Sequence, residues 1–155
     1  MRLKPIDKKL FFFVIADKLD KVQECVDNGA DVNAVDQRLN SPLLFSKSGA
    51  VARYLLDNGA NVNWKNSLGD NVVINNARRL AAPKPDLTAD AFIEIWREVK
   101  AYGVDALTKN YDGKGAIDFL DPKNAEHKRA LVILNHQRIG RTAATKTANT
   151  DGGKQ

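Results

Sequence analysis

The sequence predicts an all-α fold, a solenoid in which similar helix-turn-helix units stack and short hairpin loops join them. Three observations carry the prediction. The heptapeptide DNGADVN at 27–33 returns as DNGANVN at 57–63, 30 residues later, with Asn61 for Asp31 as the single change. A looser third copy stands at 101–107. Before each copy, apolar residues recur in steps of three and four: Leu19, Val22 and Val26, then Val51, Tyr54 and Leu55, then Phe92, Ile95 and Val99. That period marks one buried face of a helix. Within each copy a glycine (Gly29, Gly59 or Gly103) falls just past the expected helix end. Glycine there takes the left-handed backbone that closes a helix. Self-similarity at a fixed spacing is the signature of a repeat fold, whose units bury their apolar faces only against one another.

In chain order, each element follows from local chemistry. The apolar run 10–16 is an inner helix, and 18–28 is the outer helix paired with it. Ser41 and Pro42 open a shortened inner helix near 42–46. Serine is a favoured N-cap, and proline fits the first helical position, where its missing N–H is no loss. An outer helix follows at 50–57. The third unit has an inner helix at 72–81 and an outer one at 89–101. Pro83 and Pro85 prevent a continuous helix between them, so 81–88 is a Pro-rich insertion in that unit. The fourth unit opens at Ala116 and ends in a charged capping helix over 124–137. The domain therefore spans 1–139, as units at about 5–35, 36–65, 66–109 and 110–139. Its expected core is built on Leu55, Leu56, Phe92, Ile95, Leu131 and their periodic partners. Residues 140–155, rich in Thr, Ala, Gly and Lys, are expected to be a disordered basic tail.

These residues together resemble the ankyrin repeat family. LLDNGANVN at 55–63 is close to the second half of the family pattern, and DQRLNSPL at 36–43 is close to the first half. Leu39 stands where the family prefers glycine. NSLGDNVV at 66–73 keeps the glycine but loses the Thr-Pro pair, and NYDGKGAI at 110–117 resembles another opening. The likeness covers about 7–137. The insertion at 81–88 lengthens the third unit beyond the family's usual length of about 33 residues, and offers a possible second contact surface.

The resemblance implies that a concave surface of hairpin tips and inner helices binds another protein. Carried over position by position, the first tip presents Gln37, Arg38 and Asn40. The second presents Trp64, Lys65, Ser67, Leu68 and Asp70. The third presents Tyr111, Asp112 and Lys114. Trp64, Tyr111 and Arg38 lead the set, because Trp, Tyr and Arg are the types most enriched in binding hot spots. Trp64 replaces the family's usual alanine, which Ala34 keeps in the first copy. Its competing role is to pack on the neighbouring hairpin and fill a gap.

Composition excludes other classes of function. One cysteine and two histidines in 155 residues leave no internal disulfide and no cysteine-built metal site. His127 and His136 are nine residues apart, about two and a half helical turns, and so face opposite sides. Cys25 reads as a small packing residue. GKG at 113–115 is too short for a phosphate loop. Neither catalysis, a metal nor a cofactor is expected. The apolar run 10–16 is far short of the roughly 20 residues of a spanning helix. Asp7 and the Asp17-Lys18 pair spoil its likeness to a secretory leader. A cytoplasmic location without membrane contact is expected.

The net charge is +5, of which Arg138, Arg141, Lys146 and Lys154 against Asp151 supply +3. The reading is a non-enzymatic protein–protein interaction module, monomeric when free, that blocks or masks one dedicated partner through its concave face. An immunity-type or anti-defence inhibitor of a bacterial enzyme is a narrower form of it. The other alternative is a nucleic-acid-associated adaptor, with the basic tail and Arg78-Arg79 on phosphates; nucleic acid is the less expected partner.

Overall fold

The computed structural model describes the backbone over 2–150 and side chains over 2–138. Among the described residues the fold is all-helical. Its elements are α1 (Pro5–Ile15), α2 (Leu19–Asp27), the 3₁₀ helix η1 (Pro42–Phe45), α3 (Gly49–Asp57), α4 (Val72–Leu80), α5 (Ala89–Ala101), the 3₁₀ helix η2 (Ala116–Phe119) and α6 (Ala125–Thr150). They form two rows. α1, η1, α4 and η2 follow one another along the first, and α2, α3, α5 and α6 along the second. Each element of the first row packs on its partner in the second. The buried face is continuous along the stack: Leu10, Val22, Leu44, Val51, Leu55, Ile74, Phe92 and Ile95 are all essentially inaccessible.

The three heptapeptide copies close their helices in one way. Gly29, Gly59 and Gly103 have φ of 90°, 92° and 81°. The next residue's N–H then turns back onto the helix: Ala30 to Cys25 O at 3.0 Å, Ala60 to Leu55 O at 3.0 Å and Val104 to Val99 O at 3.1 Å. Each bond satisfies a carbonyl that the helix end would leave bare. α1 ends without glycine. Asp17 takes φ 55° there, which short polar side chains tolerate better than most. The Asp17 carboxylate accepts from Ser48 Oγ at 2.7 Å, and that oxygen accepts from Val51 N–H at 3.3 Å as the N-cap of α3.

Four expectations need correction. Ser41 precedes η1 but does not cap it; its hydroxyl and that of Ser46 are buried without a partner. The carbonyls of η1 are satisfied from α4 instead. Arg79 Nη1 donates to Leu44 O at 3.1 Å and Ser46 O at 2.8 Å, and Asn75 Nδ2 donates to Leu44 O at 2.8 Å. Arg79, expected on phosphates in the nucleic-acid alternative, is instead turned into the fold, and its side chain is 10% exposed. Leu131 is only half-buried, because α6 ends its row and packs on one side; Ala130 and Leu134 take the core positions. Finally, the backbone of 140–150 continues α6 rather than forming a disordered tail. Extending an existing helix avoids the nucleation cost, and no proline follows Pro122. Residues 151–155, with the side chains of the tail, lie outside the described residues.

The insertion is tied down at its far end. Leu87 is buried, and Asp86 accepts from Arg79 Nε at 3.0 Å. Cys25 is buried on α2. Desolvation raises its thiol above the usual range, which leaves little of the reactive thiolate. Alkylation of Cys25 at mild alkaline pH should therefore be slow in the folded chain and become fast in denaturant. Timed mass spectrometry checks this; equal rates in both states would mean an open thiol.

Candidate protein-binding tips and groove

Between the helices lie three hairpin tips of one design. Each opens with a side-chain carbonyl or carboxylate that holds its own turn. Asp36 Oδ1 accepts from Arg38 N–H and Asn40 N–H, both at 2.8 Å. Asn66 Oδ1 accepts from Leu68 N–H at 2.9 Å and Asp70 N–H at 3.0 Å. Asn110 Oδ1 accepts from Asp112 N–H and Lys114 N–H, both at 3.0 Å. This is the local bonding for which Asp and Asn are favoured in turns. The bend in each requires positive φ, at Leu39 (59°), Gly69 (77°) and Gly113 (73°).

The tips are also bonded to one another. Ser67 N–H donates to Arg38 O at 2.9 Å, and Tyr111 N–H donates to Leu68 O at 3.0 Å. Asn66 Nδ2 donates to Asn40 Oδ1, and Asn110 Nδ2 to Asp70 Oδ1, both at 2.9 Å. A second ladder runs nearer the helices. Asp31 N–H donates to Asp7 Oδ1 at 2.8 Å, Asn61 N–H to Asn33 Oδ1 at 2.8 Å and Asp105 N–H to Asn63 Oδ1 at 3.1 Å. The last residue of each DNGA-V-N copy is therefore the clasp to the next unit. The tips form a braced surface rather than three loose loops.

On this frame the anticipated site residues separate. Gln37, Arg38, Lys65, Leu68, Tyr111, Asp112 and Lys114 are exposed. Leu39, Leu68 and Tyr111, at 44%, 48% and 75% exposure, add one apolar side chain from each tip. Asp70 is a correction. It is fully buried, accepts from Arg78 Nε at 2.9 Å and from Asn110, and holds two tips together instead of meeting a partner. Asn40 is half-buried and its carbonyl is taken by Asn66. Trp64 is half-buried against the core, and its Nε1–H donates to Leu39 O at 2.7 Å. The gap-filling role describes Trp64, which braces the first tip from the second.

Leu39 is not among the site residues expected from the sequence, where its one visible feature is that it replaces the family's glycine. Its left-handed backbone costs a non-glycine residue about 1–2 kcal/mol. Leu39→Gly should therefore raise stability by about 1 kcal/mol, less the entropy glycine returns to the unfolded chain. Urea melts would detect this, and a loss of stability would mean that the side chain packs more than its exposure suggests.

Behind the first two tips lies a groove of about 380 Å³. Arg38, Ser67 and Leu68 of the tips line it together with Phe45, Asn75, Arg78, Arg79 and Asp86. Arg78 is partly exposed beside Asp70, and its guanidinium carbon lies 4.5 Å from the centre of the Phe119 ring. Such a contact favours a fixed cation. Among the described residues no three His, Cys, Asp or Glu side chains gather to hold a metal, and no helix is long and apolar enough to cross a membrane. His127 Nδ1 accepts from Asp121 N–H at 3.0 Å, shaping the turn before α6. No family model matches the chain, and no curated protein matches it.

Proposed function

We propose that the chain is an ankyrin-type repeat module that binds one dedicated partner protein through its tips and groove, and acts by covering part of that partner. One observation carries the reading. Leu39, Leu68 and Tyr111 stand exposed in a row on turns that are bonded to each other and to the helical frame. Exposed apolar side chains on a rigid support lose little entropy on binding, so more of the contact energy becomes affinity. The paired-helix rows, the glycine closures and the inter-unit ladder support the ankyrin-type assignment. Inhibition of an enzyme, including an immunity-type or anti-defence role, is the narrower proposal within this reading. The nucleic-acid alternative is weaker, because Arg79 is already engaged by Asp86 and backbone carbonyls.

Affinity capture from a lysate of the source cell tests the proposal. The intact chain should retain a protein that a Leu68→Glu, Tyr111→Ser double variant loses, provided circular dichroism shows the variant folded. A protein retained equally by both would remove the tips from the interface.

A further inference from the structure

The tips differ in where their charges go. The carboxylates of the first two, Asp36 and Asp70, turn inward and are engaged by hydrogen bonds. The cations of the same tips, Arg38 and Lys65, point to solvent. The Arg38 guanidinium has no ion-pair partner among the described residues. It lines the same groove as Arg78, whose Nε and Nη2 hold Asp70 while the side chain stays 39% exposed. The third tip adds Lys114, offset by Asp112. Beside these cations run Leu39, Leu68 and Tyr111.

We propose that the partner offers an acidic segment to this face, its carboxylates meeting Arg38 and the exposed edge of Arg78 while a large apolar side chain packs among Leu39, Leu68 and Tyr111. The proposal rests on the protein-binding reading above and specifies the chemistry of the partner. Bidentate contact with carboxylates is what a guanidinium supplies best. A phosphate backbone offers nothing for Leu39 and Leu68 to cover. The exposed apolar side chains Leu39 and Leu68 beside these cations therefore favour an acidic protein segment over a nucleic acid.

A random peptide library displayed on phage is selected on the immobilised full chain, in parallel with Arg38→Glu and Leu68→Glu variants of unchanged unfolding midpoint. The wild type should enrich peptides rich in Asp and Glu that carry a Leu, Phe, Tyr or Trp. Synthetic copies should bind Arg38→Glu about tenfold or more weakly and lose affinity as salt rises. Arg38→Glu should itself shift the enriched peptides towards Lys and Arg. Winners that need Leu68 but carry no acidic excess would overturn the acidic partner while leaving the tips as a protein-binding surface. Winners indifferent to both variants would overturn both. Selection without winners would overturn the claim that an acidic segment suffices. A fluorescent DNA oligonucleotide that displaces the winners at physiological salt would assign the face to nucleic acid and overturn the proposal.

Discussion

Gly69→Ala is expected to be among the most damaging single-methyl changes in the chain. Gly69 has φ 77°, and a Cβ placed there would lie 2.8 Å from both Tyr111 N and Tyr111 Cδ1. The backbone contact is the serious one, because Tyr111 N–H is the donor that ties the third tip to Leu68 O. Left-handed strain and overpacking together should remove about 2–4 kcal/mol, or roughly 10 °C of Tm for a domain of this size. Gly113→Ala supplies the comparison. Its φ is 73°, yet nothing stands within 4 Å of the added Cβ, so about 1 kcal/mol of strain is all that should appear. Thermal melts of the two variants isolate the tip-to-tip contact. Equal losses would mean that the tips are not locked together. Tyr111→Ala in the Gly69→Ala background should restore only part of the loss, since the backbone contact stays.

Arg79→Ala is the second large expectation. One guanidinium closes the 3₁₀ helix η1, reaches Asn76 Oδ1 at 3.1 Å and pairs with Asp86 of the insertion. Its removal takes the arginine donor from Ser46 O, leaves Leu44 O with Asn75 Nδ2, and frees the end of the insertion. Losing a buried multidentate cation of this kind costs about 3–5 kcal/mol. Arg79→Lys should rescue little, because one ammonium lacks the planar fork that reaches these acceptors together. Arg53→Ala provides the control. Its side chain is 69% exposed and 3.9 Å from Asp57, and exposed pairs contribute at most about 1 kcal/mol. Urea unfolding of the three variants checks the ranking. A small loss for Arg79→Ala would show that water satisfies η1 as well as arginine does.

The parts of this fold that were legible in the sequence are those set by near neighbours in the chain. The glycine closures follow from DNGA, and the helix faces follow from steps of three and four. The prolines of 83 and 85 end α4 and delay α5, as proline geometry requires. Even Leu39 could be flagged, since it stands at a position that needs positive φ. What stayed hidden depends on groups brought together from different units. Asp70 looked like a tip residue because its polar neighbours are loop residues. Its burial is decided by Arg78 and by Asn110, 40 positions away. Arg79 stands in the last turn of α4 with polar neighbours in the chain, and its backbone acceptors lie 33 to 35 positions earlier. Trp64 differs again: its substitution for alanine was visible, but its brace to Leu39 O was not. The sequence carries one further signal of contact between units. Asn33 and Asn63 are identical in the two best copies, and a polar residue kept at the end of a repeat motif is a candidate for bonding between units.

The tail shows a different limit. Low apolar content argues against a segment ordering itself, but 140–150 does not start alone; its backbone extends a helix that began at Ala125. Composition describes a segment in isolation, and a helix already nucleated changes the starting point.

The central claim is that the partner sits on the tips. Site-specific photo-crosslinking tests it most directly. A benzophenone side chain is placed at Leu68 in one sample and at exposed Arg97 of α5 in another, and each is irradiated in lysate of the source cell. A single protein joined through position 68 and not through position 97 is the predicted result. A protein joined through position 97 alone would put the interface on the outer row and contradict the account.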